Sequence, residues 1–299
     1  MKRKLVLAFR ILLLAVLYMI CFSLVFALVV PKQQSVPEAE QATILPALLT
    51  LSFLNTAVLA YVVYRSRWAG WKLMLTLGFV IFGVTTVMPQ IETAVFVDLP
   101  GDLLPRLFVA GFLFAAIFSP LAVLLLRNRN AGDKRQDHVS QLPRSVSQWI
   151  WKLSLIAVVY VFLYFTFGYF VAWQSPAVRS YYSGTDAGNF FAQMSSTLRD
   201  SPWLLLLQFF RGLLWVALAV PVIRMMKGSW WEAGLAVALL FGVVMNTQLL
   251  LPNPLMPKDV RMAHLVETAV SNFIFGWVLV WLLRDRQSFA LRHNVQASS

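Results

Sequence analysis

Eight stretches of mostly apolar residues, each set off by turn-forming or charged residues, constrain this chain more than any other feature. They lie near 5–30, 44–64, 70–90, 103–126, 149–173, 203–223, 230–251 and 262–283. A helix of about 20 apolar residues crosses the hydrocarbon core of a bilayer, and each run has that length. Pro31 and Pro37, Pro100 with Gly101, Gly228, and the Pro252, Pro254, Pro257 cluster separate the runs. Asp102 and Asp259 precede the fourth and eighth, where a helix N-cap is expected. Of 299 residues 59% are hydrophobic and only 13% charged, against about 25% charged in an ordinary soluble domain. The expected class is an all-α polytopic membrane protein with eight transmembrane helices.

The N-terminus imitates a signal peptide, with Lys2, Arg3 and Lys4 ahead of the first run. That run is too long, and no small-x-small cleavage site precedes Pro31. Tyr18, Met19 and Ile20 before Cys21 are too bulky for a lipidation box. A retained helix is expected. Cys21 is the single cysteine, which excludes an internal disulfide or a thiolate metal cluster and leaves it as a small apolar residue.

The formal charge of +12 does not point to nucleic acid, because no basic face interleaves with exposed aromatics. Membrane topology and anionic headgroups account for it, and membrane lipids are the expected partners. With alternating spans, eighteen Lys and Arg fall on one side. Lys32, Arg106, Arg179, Arg199, Lys258 and Arg261 fall on the other, and Arg211 stays inside a span, which accounts for all 25. The positive-inside rule then puts both termini in the cytoplasm, in a plasma (inner) membrane. Trp68, Trp71, Trp230 and Trp231 at the inner interface, with Trp173 and Trp203 at the outer one, read as aromatic belts.

The chain also reads as duplicated. The run from Leu48 resembles that from Leu204, and Trp71 through Phe82-Gly83-Val84 resembles Trp230 through Phe241-Gly242-Val243, 159 positions on. Asp102 and Leu126-Arg127 match Asp259 and Leu283-Arg284 at 157 positions, and Ala15-Val16 with Tyr18 matches Ala157-Val158 with Tyr160. Four spans per copy is an even number, so the expectation is two parallel four-helix repeats, residues 1–138 and 139–299. The boundary falls in the polar segment Arg127 to Gln148, where His138 reads as a solvated loop residue. The second copy carries a long external loop, 174–202, in which Phe190, Phe191, Met194 and Leu198 have the spacing of an interfacial helix.

Candidate chemistry lies in the outer half of the spans. An ionised side chain near the bilayer centre costs about 2.5–3.5 kcal/mol on insertion scales, so one that is kept has a partner or a task. Arg211 lies roughly 12 Å into the sixth span and Glu267 roughly 8 Å into the eighth, at 1.5 Å per residue, which makes an Arg211–Glu267 pair the expectation. Asn55 is the repeat counterpart of Arg211. Gln90 and Glu92 close the third span, where headgroups would solvate Glu92, and Asn246, Thr247 and Gln248 close the seventh. The eighth span adds His264, Ser271 and Asn272.

His264 and Glu267 share a helical face and read as a general base with its orienting acid, or as two metal ligands. The carboxylate-bundle motif, however, runs Glu-x-x-His on paired helices; here the order is reversed and unrepeated, so no metal and no cofactor is expected. A P-loop, a dinucleotide fingerprint, a nucleophile elbow and a paired-histidine zinc motif are all absent from the sequence.

The leading expectation is a membrane carrier or binding protein for a small or amphiphilic ligand, anionic or lipid-like, in an outward-facing polar cavity. Arg211 would bind the anion, with Glu267, His264, Glu92, Asn55, Gln248 and Asn272 around it. The alternatives are a membrane-embedded enzyme acting on a lipid headgroup, with His264 or Glu267 as base, and a non-catalytic structural or accessory subunit.

Overall fold

A computed structural model describes residues 2–30, 36–126, 142, 145–182, 184 and 188–284. The expected boundary at 138/139, His138 and most basic residues of that linker lie outside the described residues. Among those described there is no strand, and eight helices are long and apolar enough to cross a membrane. They are Lys4–Val29, Glu38–Arg65, Gly70–Phe96, Leu103–Leu126, Val146–Ala172, Trp203–Met225, Trp230–Leu250 and Lys258–Leu283, called the first to eighth spans.

Contacts between span ends show that the helices alternate in direction. Arg106, near the start of the fourth span, donates to the Val29 carbonyl at the end of the first (3.4 Å). Lys152, early in the fifth, donates to the Arg284 carbonyl after the eighth (2.8 Å). Arg65 at the end of the second pairs with Glu232 at the start of the seventh. One face of the bundle therefore holds the start of the first span and the end of the eighth; it is the terminal face, and the opposite one the far face.

The first span packs on the second and fourth, and the third on the fourth; the fifth packs on the sixth and eighth, and the seventh on the eighth. The two groups meet through the second span against the seventh and the third against the sixth. At the terminal face the loops after the second and sixth spans pair as an antiparallel bridge, Ser66 with Met226. Arg67 N–H donates to the Met225 carbonyl (2.7 Å), and Lys227 N–H donates to the Arg65 carbonyl (2.9 Å).

The bundle is apolar outside as well as inside. Phe9, Leu75, Phe112, Phe162 and Phe210 are all more than half exposed, the surface a lipid-facing bundle presents and a soluble monomer avoids. The first helix is integral to this packing. Leu14, Tyr18, Phe22 and Val25 face the core at helical spacing, and the Tyr18 hydroxyl accepts a 2.9 Å bond from Asn55 Nδ2.

Three spans carry a π-helical turn, at Gly83–Val87, Gly168–Ala172 and Leu240–Val244. Pro120 and Pro221 sit inside continuous helices. Several expected ends move. The third span runs on to Phe96, and the eighth begins at Lys258 with Pro257 as its cap, so Asp259 occupies the first turn. The Asp102 carboxylate accepts from Arg106 Nε (2.7 Å), and this bond holds it below the ordinary carboxylate range.

The far-face loop folds into the helices Pro176–Tyr181 and Phe190–Asp200. The second of these is capped by Asn189, whose side chain accepts from Ala192 N–H (2.9 Å). It buries none of its residues, and Phe191 and Leu198 lie exposed, two turns apart on one face.

Close approach of the seventh and eighth spans depends on glycine. A Cβ on Gly276 would lie 2.9 Å from the Ala238 Cα. Backbone cannot yield there as a flexible side chain could. Gly276→Leu is therefore expected to destabilise the detergent-solubilised protein by about 1–3 kcal/mol, the usual cost of overpacking, read as a lowered thermal midpoint.

Candidate polar cavity in the far half of the bundle

His264, Glu267, Thr268, Ser271, Asn272 and Phe275 recur at three- and four-residue intervals in the eighth span and so share one face. That face turns toward the fifth span, which presents Tyr160, Leu163 and Tyr164 at the same spacing. Between them, with Glu92, Arg211 and Met245, lies a cavity of about 20 Å³, room for a water molecule and for nothing much larger.

Arg211 is the most buried charge at this site, its side chain 1% exposed. One Nη1 meets both Glu92 and Gln208 Oε1, the latter at 2.7 Å, while Nη2 donates to the Met88 carbonyl (3.3 Å). The guanidinium also stands 5.7 Å from the Tyr160 ring centre, within reach of a cation–π attraction. The expected Arg211–Glu267 pair is thus replaced by Arg211–Glu92. The physical reason is the longer third span, which carries Glu92 inward on a helix instead of leaving it among headgroups. One donor of the guanidinium, Nε, meets no protein acceptor, and neither does Gln208 Nε2 beside it.

Glu267 has a different partner. His264 Nδ1 lies 2.7 Å from its Oε2, and His264 Nε2 lies 3.2 Å from the Tyr182 hydroxyl. Burial holds the Tyr182 phenol above its ordinary range, so it stays protonated. With Tyr182 O–H donating to Nε2, the ring's Nδ1–H donates to Glu267, a chain of three groups running from the far-face loop to the cavity.

The remaining expected residues divide. Asn272 lines the cavity, its Nδ2 donating to Met245 Sδ (3.3 Å). Asn55 and Gln248 do not line it. Asn55 donates to Tyr18 and accepts from the Thr247 hydroxyl (2.8 Å), joining the first, second and seventh spans. Gln248 donates to the Thr85 carbonyl (3.0 Å), four residues before Pro89, whose missing N–H would otherwise leave that acceptor unmet. Both therefore satisfy the fold's own polar groups.

Sequence reasoning misses several participants: Gln208, Tyr160, Tyr164, Thr268 and Tyr182. Gln208 and Arg211 are three apart on one helix, a signal readable in the sequence; the tyrosines carry none, since aromatic residues fill every span. Arg261, expected in a loop, is also buried. It donates to the carbonyls of Leu249, Leu251 and Met256, pairs with Glu40, and so ties down the proline-rich turn before the eighth span. Among the described residues no three His, Cys, Asp or Glu side chains converge as a metal site would require.

Comparison with protein-family models, with curated proteins and with solved structures finds no match to the chain.

Removing one partner of a buried ion pair strands the other, at a cost of about 3–5 kcal/mol, whereas removing both is often close to neutral. Arg211→Met alone is expected to lower the thermal midpoint markedly and Glu92→Gln alone less, since Glu92 is partly exposed. The double variant should recover much of the loss. A thermodynamic cycle on the purified protein measures this coupling directly.

Proposed function

We propose that the chain is a multi-pass carrier or binding protein of the plasma (inner) membrane for a small or amphiphilic anion, held at Arg211 in the far-face cavity. The observation that carries this reading is Arg211 itself: nearly wholly buried, beside a cavity, with an Nε donor that no protein acceptor meets. A ligand carboxylate or phosphate supplies that acceptor.

Charge counting extends the reading. With His264 neutral, Arg211, Glu92 and Glu267 leave one negative charge in excess. A bound anion adds a second, and uncompensated charge is costly inside an apolar bundle. A proton taken up by the His264–Glu267 pair offsets it, so the ligand binds together with a proton. Admitting anything larger than water requires the fifth and eighth spans to part. The π turn Gly168–Ala172, beside Glu267, is the local irregularity at which the fifth span would yield.

The site faces outward if both termini are cytoplasmic, as the basic residues of the terminal face favour. Internal duplication is part of the proposal. In support, two of the π turns, Gly83–Val87 and Leu240–Val244, lie 157 positions apart, the interval that relates the fourth and eighth spans and two short of the 159 that relates the third and seventh by sequence. The Ser66–Met226 bridge also joins corresponding loops antiparallel, as an axis along the membrane normal requires.

The enzyme reading has one observation in its favour, the Tyr182–His264–Glu267 chain, which resembles a base with its orienting acid. An enzyme would lose turnover on His264→Ala while keeping substrate affinity.

Two measurements test the proposal. Thermal unfolding in detergent should show that small organic acids and inorganic phosphate, screened at pH 5.5 and 7.5, include at least one that stabilises the wild type. That effect should be stronger at the lower pH and absent from Arg211→Met/Glu92→Gln. A well-folded double variant stabilised as much as the wild type would overturn the assignment of Arg211. Separately, single cysteines placed at positions 2 and 299 in a Cys21→Ala background should resist a membrane-impermeant thiol reagent in intact cells and react after lysis.

A further inference from the structure

Set side by side at the proposed repeat intervals, the two halves differ in one respect that bears on the site: a cluster of aromatic rings in the first half corresponds to the cavity in the second. In the first half Tyr18 meets Phe114 and Phe118 edge-on, each at 4.9 Å between centroids. Phe114 and Phe118 stack at 5.4 Å, Phe22 meets Phe114 at 5.8 Å, and Phe26 stacks on Phe22 at 4.4 Å. Phe114 is 2% exposed. The interior there is closed by rings.

The corresponding residues of the second half, 142 positions on for the first span and 157 for the fourth, are Tyr160, Tyr164 and Gly168 for Tyr18, Phe22 and Phe26. Glu267, Ser271 and Phe275 stand for Ala110, Phe114 and Phe118. The shared part is reproduced: Tyr160 and Phe275 are again 4.9 Å apart. Asn55 touches Tyr18, and its counterpart Arg211 lies over Tyr160. Two rings, however, have been replaced by Ser271 and Gly168. Ser271 lines the cavity, and a Cβ on Gly168 would lie 3.5 Å from Glu267 Oε1. The cavity lies beside Ser271, the position corresponding to Phe114, and as it stands has room for a water and not a ring.

We infer that Ser271 determines specificity: once the fifth and eighth spans part, the ligand's ring-sized apolar body takes the place corresponding to the Phe114 ring, with its acidic group toward Arg211. The inference rests on the anion site and the duplication proposed above, and it narrows the ligand class to ring-bearing carboxylates. Tyr160, Tyr164 and Phe275 then offer the ring the edge and face contacts that Tyr18, Phe22 and Phe118 give Phe114. Carboxylic acids without a ring would leave the opened space unfilled. Burying a phenyl ring corresponds to about thirtyfold in affinity.

The experiment compares benzoate with acetate as stabilisers of the purified protein, by thermal unfolding across a concentration series at pH 5.5. Wild type is expected to bind benzoate about thirtyfold more tightly than acetate. In Ser271→Phe, where the protein's own ring occupies the place, that ratio should fall to about one; Ser271→Leu, a smaller plug, should give an intermediate ratio and serves if the phenylalanine variant does not fold. Equal affinity for the two acids in wild type, or a ratio unchanged in whichever of these variants folds, overturns the role of Ser271 while leaving an anion site standing. If neither acid stabilises wild type although inorganic phosphate does, the ring-bearing ligand is ruled out and Arg211 is a phosphate site. No response to any of the three removes the anion site, and this inference with it.

Discussion

A guanidinium enclosed by apolar helices must find hydrogen-bond acceptors within the protein, because lipid offers none. That requirement at Arg211 organises the far half of this bundle. It draws Glu92 and the Met88 carbonyl from the third span, Gln208 from one turn earlier on its own span, and the face of Tyr160 from the fifth. Three helices from both halves of the sequence are thereby fixed at one level. The eighth span has its own polar groups at that level, and it satisfies them through His264 and the far-face loop. Two charge systems stand beside one small cavity without neutralising each other.

Irregular backbone accompanies the polar groups. Each of the three π turns adjoins the site: Met88, whose carbonyl meets Arg211, follows the first, Gly168 in the second lies against Glu267, and Met245 follows the third. A π turn adds a residue to the helix and rotates the turns after it, which re-aims side chains that regular helix would send elsewhere. The acceptors this releases are met locally. Asn246 Nδ2 donates to the Phe241 and Gly242 carbonyls, and Gln248 donates to the Thr85 carbonyl ahead of Pro89. These side chains look functional in a sequence because they are polar in an apolar run. Their work is to satisfy main-chain groups.

The eight spans are legible because bilayer thickness sets their length, and a run of about 20 apolar residues has few other uses. Their ends are less legible wherever polar residues continue the helix. Hydropathy stops the third span near residue 90, yet it continues to Phe96. It starts the eighth near 262, yet that helix begins at Lys258, since Arg261 is buried against carbonyls instead of lying in a loop. Hydropathy counts such residues as loop, whereas the fold gives them partners. At the site, Arg211 and Glu267 stand out as charges amid apolar neighbours. Their separate pairing does not, because similar depth along two helices says nothing about which faces turn toward each other.

Composition and run length alone determined that this chain is a bundle of eight membrane-length helices, since no other fold disposes of that much apolar sequence in segments of that size. They also marked the few polar residues that would need partners. Only the packed structure decided who those partners are: Glu92 with Arg211, Tyr182 and Glu267 with His264, Asn55 with Tyr18 and Thr247. The cavity beside Ser271 was likewise decided there. The reason is geometric: pairing depends on the rotation of each helix about its axis, which packing sets among several spans at once and which no single stretch of sequence encodes.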